Sequence, residues 1–311
     1  MLSLLGKRLL QTVPTLIIVL FVVFVAARLI PSNPIQIIMG QHTNAAEEKV
    51  LKHEYGLDKP IPIQFLDYLW GLLHGNLGQS YIQRGVSVSS ILSSEFPVTM
   101  QLAFQSLLFA IVLGLPLGTL AAIFHNQWPD RLAMLVVIAL ISIPSFVLGP
   151  ILILEIALQL HWLPVAGWDS PVYTVLPTIT LGARTAAQLA RFQRTSLLDV
   201  LSQDYIRTAR AKGISQWNTI RRHALKNAAL PVITAIGLNF GTLLTGSFVV
   251  ETLFHVPGIG YQSIQSITNR DYPVIQGVAL LVALVFITVN LITDLLYRLV
   301  DPRVRDMEQV S

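Results

Sequence analysis

The sequence predicts an all-α polytopic membrane protein with six transmembrane helices, and three observations carry that prediction. Hydrophobic residues make up 53% of the 311-residue chain and charged residues only 12%, too apolar a balance for an ordinary soluble domain. Mean hydropathy is correspondingly high, at +0.62. The apolar residues gather into stretches close to the ~20 residues that cross a bilayer. Lys and Arg concentrate at alternate ends of those stretches, as membrane topology requires.

The six expected spans are Leu9–Leu29, Met100–Ile123, Leu132–Leu160, Val172–Ala190, Leu230–Leu253 and Val274–Leu296. Lys7 and Arg8 precede the first, which is longer than a signal-peptide core and lacks a small-x-small cleavage site, so it is expected to stay as an anchor. Between Pro31 and Glu95 lies a long external segment. Within it, Ala45–Tyr55 is expected as a short helix opened by Asn44, and Leu57-Asp-Lys-Pro-Ile-Pro breaks it. Ile63–Leu73 carries Phe65, Leu66, Leu69, Trp70 and Leu73 at helical spacing, a face that suits the membrane or the bundle. Pro97 is expected to open the second span, where Gly114-Leu-Pro-Leu-Gly118 permits close helix approach. The third span contains Pro144 and Pro150, and the fourth contains Arg184 and Gln188. The fifth is expected to begin at Pro231 and shows Gly237-x-x-x-Gly241. Asp301-Pro-Arg303 begins a short tail after the sixth.

With both termini on the cytoplasmic side, fourteen Lys and Arg residues fall on cytoplasmic segments, Arg131, Arg191, Arg221 and Arg298 among them. Five fall outside: Lys49, Lys52, Lys59, Arg84 and Arg270. The net charge of +4 is thus a membrane-edge pattern, and nucleic acid is not expected as a partner. The absence of cysteine excludes disulfides and thiolate chemistry. No Gly-x-x-x-x-Gly-Lys-Ser/Thr loop holds nucleotide, no Gly-x-Ser-x-Gly elbow offers a serine nucleophile, and the seven histidines are scattered without metal-ligand spacing.

The segment between the fourth and fifth spans is polar and basic. From Leu197 to Arg210 the residues Leu198, Leu201, Tyr205 and Ala209 form an apolar stripe opposite Asp199, Gln203, Arg207 and Arg210, which predicts an amphipathic helix. Gly213 fits a left-handed cap. Ser215 fits an N-cap for a second helix, with Trp217, Ile220 and Ala224 on one face and Arg221, Arg222 and Lys226 on the other. Three readings compete for this hairpin: a basic loop resting on anionic lipid, a solvated charged loop, and a docking element. The Ala-rich stripe favours insertion into a protein groove.

The run from Leu198-Asp-Val-Leu-Ser-Gln-Asp-Tyr-Ile-Arg-Thr-Ala-Arg-Ala-Lys-Gly213 through His223-Ala-Leu-Lys-Asn-Ala-Ala-Leu-Pro231 resembles the EAA loop of permease subunits of ATP-binding-cassette (ABC) importers. The resemblance is to the dipeptide/oligopeptide/nickel group, and it extends to Gly56-Leu-Asp-Lys-Pro, Glu251-Thr-Leu-Phe, Pro257-Gly-Ile-Gly260, Arg270-Asp-Tyr-Pro-Val-Ile-Gln276 and Asp294-Leu-Leu-Tyr through Asp301-Pro-Arg303. Arg207 stands where the general pattern has a glutamate, and Pro231 lies farther from Gly213 than in the short form; the peptide subgroup shares both departures. The resemblance implies a type I ABC importer fold with cytoplasmic coupling helices. Tyr205, Arg207, Thr208, Ala209, Arg210, Ala211, Lys212 and Gly213 would then couple to the ATPase. It also implies a homologous second permease subunit, two cytoplasmic ATPase subunits and an extracytoplasmic solute-binding protein in a bacterial inner membrane. No cofactor is expected in this chain, since ATP-Mg belongs to the partner subunits. The absence of an internal repeat fits one half of a transporter.

The implied division is an N-terminal helix with its external extension at 1–94, the transmembrane domain at 95–297 with its coupling loop at about 191–228, and a cytoplasmic tail at 298–311. Glu155, Gln188, Asn239 and Thr242 are candidates to line a translocation path, alongside Arg184, Asn290 and Asp294. A charge at mid-membrane costs ~2.5–3.5 kcal/mol on insertion scales, so Glu155 and Arg184 are not expected to face lipid; pairing or gluing of helices is the competing role. Small peptides are the expected cargo, with nickel, a metallophore or glutathione as alternatives. The reading from a different class is an intramembrane enzyme or a channel.

Overall fold

Proline marks some of the helix starts and bends and is tolerated inside other helices. The structure, a computed structural model, describes residues 2–29, 35, 39 and 45–300, and among these the side chains of 12–29, 35, 39, 45–229 and 231–292. Asn44 and the expected tail from Asp301, with Arg303 and Arg305, lie outside the described residues, as do the side chains of Lys7, Arg8, Asp294 and Arg298.

Helix α1 runs Leu2–Leu29, α2 Ala45–Glu54 and α3 Ile61–Leu73. Pro62 sits in the first turn of α3, where its missing N–H costs no helical bond. Helix α4 runs Val88–Ile123. Pro97 therefore lies inside it and does not open it, and no break falls at the expected 94/95 boundary. The reason is that Val88, Ile91 and Leu92 form a buried stripe at helical spacing that stabilises the extra turns. Helix α5 runs Trp128–Ser142 and α6 Ser145–Leu152, continued by a π-helical segment Ile153–Gln159.

The expected third span is thus not one straight rod: its two halves are bent by 104°. Ile143, before Pro144, is extended at φ −86° and ψ 116°, because the proline ring crowds the α conformation of the residue ahead of it. A 3₁₀ turn, Pro171–Thr174, leads into α7, Val175–Leu201. Then come α8 (Asp204–Ala211), α9 (Gln216–Thr219), a π turn (Ile220–Ala224) and α10 (Leu225–Phe254). Helix α10 starts at Leu225, ahead of Pro231, while its membrane-length apolar stretch, Pro231–Phe254, begins where the fifth span was expected. Helices α11 (Ile259–Asn269) and α12 (Tyr272–Val300) complete the described chain.

Four described helices are long and apolar enough to cross a membrane: Thr12–Leu29, Val88–Ile123, Pro231–Phe254 and Tyr272–Ile292. The bent α5–α6 pair makes a fifth if it counts as one span. Helix α7, expected as the fourth span, is not among them by composition. Its 27 residues reach about 40 Å at 1.5 Å per residue, enough to cross. It carries Arg184, Gln188, Arg191, Gln193 and Arg194, yet thirteen of its residues are buried. A helix with about half of its residues buried by protein needs less lipid-compatible surface than one that faces lipid all round.

The chain forms two compact units, Met1–Val98 with Pro257–Ile287, and Thr99–Val256 with Thr288–Ser311. In the first, Phe24 is fully buried and meets Phe65 of α3 edge-on, with ring centroids 5.1 Å apart. Arg28 lies 3.4 Å over the Phe24 ring and donates to Gln64 Oε1 at 2.9 Å. The buried carboxylate of Asp271 accepts from Ser80 Oγ and, at 3.0 Å, from the Tyr81 N–H, strapping residues 80–81 to the start of α12. Burial pushes the Tyr81 phenol up to about 12.

In the second unit α7 is central, packed against α4, α5, α6 and α10. The α4–α7 seam uses small residues. A Cβ at Gly114 would meet the Ala186 carbonyl oxygen at 2.5 Å, one at Gly182 would meet that of Ser106 at 2.7 Å, and one at Gly118 would strike the Ala190 carbonyl. These helices approach backbone to backbone.

Candidate coupling hairpin and translocation face

The hairpin is built at the end of α7. The expected continuous helix from Leu197 to Arg210 breaks at Ser202–Gln203, where Gln203 is extended at φ −73° and ψ 149°. The break rotates α8 so that Ile206, fully buried, and Ala209, 8% exposed, turn inward. Tyr205, placed by spacing on the apolar stripe, is 44% exposed; its hydroxyl accepts from Asn227 Nδ2 at 2.9 Å, tying α8 to α10. Gly213 takes φ +80° and closes the turn as expected. Ser215 caps α9 by accepting from the Asn218 N–H at 3.4 Å. On the second arm Ile220 and Ala224 are buried, whereas Trp217 is 62% exposed and does not share their face.

One apolar cluster anchors the hairpin: Ala122 of α4, Leu197 of α7, Ile206, Ala224 and Ala228. Of the eight residues expected to engage an ATPase, Tyr205, Arg207, Thr208, Arg210, Ala211, Lys212 and Gly213 are exposed, and Ala209 is buried within its own chain. The face open to a partner is therefore polar and cationic, and Ala209 of the expected stripe faces inward beside Ile206.

Nearby, Arg194 of α7 grips Asp130 of α5 through two parallel bonds, Nε to Oδ1 and Nη2 to Oδ2, each 2.7 Å. Asp130 is 3% exposed and also accepts from the Asn126 N–H at 2.9 Å. His125 Nδ1 lies 3.1 Å from Arg194 Nη2. Sequence reasoning missed this cluster. Asp130 reads as an ordinary acid in a helical first turn, and its partner stands 64 positions away.

The exposed residues of α7 form a stripe: Arg184, Gln188, Arg191, Phe192, Thr195 and Asp199, with Gln188 half-buried. Its lower part and the start of α10 line a groove of about 490 Å³, with Arg191, Thr195, Asp199, Asn227 and Pro231 in its walls. Of the candidate path residues, Thr242 is exposed and donates to the Asn239 carbonyl at 2.7 Å, while Asn239 Nδ2 donates to the Ala235 carbonyl at 2.8 Å. These are satisfied within α10. Glu155 is exposed on the π-helical segment. No hydrogen bond among the described residues joins Glu155 or Gln188 to the other two.

Within the second unit, a helix packed along a small-residue seam with α4 and against apolar α10 runs into a polar hairpin, the layout of a membrane transport subunit. Residues 114–306 match the family described as binding-protein-dependent transport system inner membrane component, and residues 1–103 match its N-terminal region. The chain belongs to that family: it is a membrane-embedded permease subunit of an ABC importer of the peptide/nickel/glutathione group, a transport component rather than an enzyme. It is 43% identical over 305 residues to the glutathione transport system permease protein GsiC of Salmonella typhimurium strain LT2, covering 98% of this chain and 99% of that one. The GsiC protein of Escherichia coli strain K12 matches equally, at 43% identity over 305 residues. Among solved structures, the inward-facing MetNI methionine ABC transporter aligns over 68% of this chain and 97% of its own, with TM-score 0.56 and 20% identity. An amino acid ABC transporter crystallised with histidines aligns over 68% and 94%, with TM-score 0.55 and 17% identity. Those two likenesses concern the fold alone.

Proposed function

We propose that this chain forms half of the translocation path of an importer that takes in small peptides of the glutathione kind, delivered by an extracytoplasmic solute-binding protein. A homologous second permease supplies the other half, and two cytoplasmic ATPases drive the cycle. The chain crosses a bacterial inner membrane six times, with α7 as the fourth span and both termini cytoplasmic. The transmembrane domain proper extends over 95–297, and 298–311 is the cytoplasmic tail. Cargo class rests on the GsiC relatives.

The observation that carries the coupling role is the two-sided hairpin. Ile206, Ala209, Ile220 and Ala224 are buried by the chain's own helices, while Tyr205, Arg207, Thr208, Arg210, Ala211, Lys212 and Gly213 are exposed on the other side. Such a face suits a cleft in an ATPase with acidic and polar walls. When ATP closes the ATPases, the hairpin is displaced and the helices tilt, giving alternating access. The exposed stripe of α7 with Gln188, and Asn239 and Thr242 on α10, would face the water-filled side; Glu155 stands on α6's continuation. The second arm has a feature of its own: exposed Trp217 beside Arg221 and Arg222 favours contact with anionic headgroups.

The test is reconstitution. Arg210→Glu should keep membrane abundance at the wild-type level, lose most co-purifying ATPase and stop uptake of labelled glutathione. Normal ATPase retention with normal uptake would sink the docking role. Uptake of a different small solute, with glutathione refused, would overturn the cargo and leave the permease role standing.

A further inference from the structure

The seam between α4 and α7 is mostly non-directional. Gly114 and Gly118 lie against the carbonyls of Ala186 and Ala190, and such small-residue contacts fix distance without fixing rotation. Toward the hairpin end the chemistry changes. Gln193 Nε2 donates to Thr119 Oγ1 at 3.2 Å, and one residue further along α7 Arg194 holds Asp130 through two 2.7 Å bonds. A planar guanidinium fork on a carboxylate constrains angle as well as distance, which neither an apolar contact nor a lysine does. Asp130 is nearly inaccessible, and the Asn126 N–H binds its second oxygen. The fork therefore grips the turn between α4 and α5, where Asn126 takes φ +64°. Three residues along α7, Leu197 enters the cluster that anchors Ile206 and Ala224 of the hairpin, with Ala122 of α4 beside it.

We propose that the Asp130–Arg194 fork is a positioning strut: it locks the α4–α5 turn to the root of the hairpin, so that turn and hairpin move as one body when the hairpin is displaced. Without the fork, the small-residue contacts and the one neutral Gln193–Thr119 hydrogen bond are too weak a hold to stop α7 rotating past α4, and hairpin movement is spent on slippage. This inference rests on the coupling role proposed above.

The chain has no cysteine, so Gln127→Cys and Asn218→Cys, both at exposed positions, carry spin labels on the turn and on the hairpin. Distances are measured in the complete complex in lipid, nucleotide-free and trapped with ATP and vanadate. With the fork intact the distance should be the same in both states. In Arg194→Lys, and in the neutral pair Asp130→Asn with Arg194→Gln, it should shift by several ångström between states, with ATPase still bound at the wild-type level. Glutathione uptake per ATP hydrolysed should fall about tenfold, within the usual range of coupling between sites.

A distance that changes between states with the fork intact, or stays constant in both fork variants, would overturn the strut. Loss of the ATPase from both variants would overturn it as well, since the docking face is untouched. Arg210→Glu run alongside separates the two ideas: if it keeps its ATPase, the docking role falls, while the spin-label distances still judge the strut.

Discussion

On the first arm of the hairpin, Ala209 is 8% exposed while its neighbour Arg210 is open to solvent, so adjacent residues answer to different forces. Ala209→Glu would bury a carboxylate with no partner, at a cost of at least ~2 kcal/mol. The expected result is faster amide exchange across Ile206–Ala211, with ATPase binding lost as a consequence of the disordered hairpin. Arg210→Glu should leave exchange unchanged and lose the ATPase directly. Gly213→Val tests backbone alone, because a Cβ there meets nothing within 4 Å while φ is +80°. The left-handed conformation should cost about 1–2 kcal/mol, read as faster exchange at the turn. Spacing in the sequence placed Gly213 and Ser215 correctly because caps are local. It assigned Tyr205 to the inner face because it assumed an unbroken helix; the break at Ser202–Gln203 shifts the buried position to Ile206.

Among the elements, the α4–α7 seam is the feature most sensitive to a single carbon. Gly118→Ala should push the helices apart against the Ala190 carbonyl, lowering stability by about 1–3 kcal/mol as overpacking does. The drop is readable as a lower unfolding temperature in detergent. Gly246→Ala is the contrast, since the nearest atom to its Cβ is Leu181 Cδ1 at 3.8 Å, and it should be neutral within error. The Gly114–Gly118 pair was legible as a close-approach motif, although its partner helix was not. Helix α7 was the hardest helix to read, because its cations and glutamines lower its hydropathy. Its environment explains two of them: Gln193 is buried against Thr119 and Arg194 is neutralised by Asp130.

At the scale of the whole molecule, the arrangement across the membrane is the property to test. Arg84→Cys lies in the segment proposed to be external and Asn218→Cys on the hairpin, and both positions are exposed. In cells with a permeable outer membrane, an impermeant thiol reagent should label the first and spare the second; labelling of both, or the reverse, would sink the six-span arrangement. Purified alone in lipid, the chain should not hydrolyse ATP, and hydrolysis should appear once ATPases and the second permease are added. Hydrolysis that follows this polypeptide alone through gel filtration would contradict its place as a transport subunit.

Composition and periodicity by themselves determined the membrane class, the helical fold, the polar hairpin and its glycine turn, because each depends on neighbours a few residues apart. The family was legible for the same reason, since its motifs are continuous runs. Three things were decided only when the helices packed. Pro144 split the expected third span into two halves at 104°, a bend whose size no local rule supplies. Ile206 and Ala224 of the hairpin became an internal seam, because Ala122, Leu197 and Ala228 were there to pack against them. Asp130 found Arg194 across 64 residues, a pairing that long-range geometry alone creates.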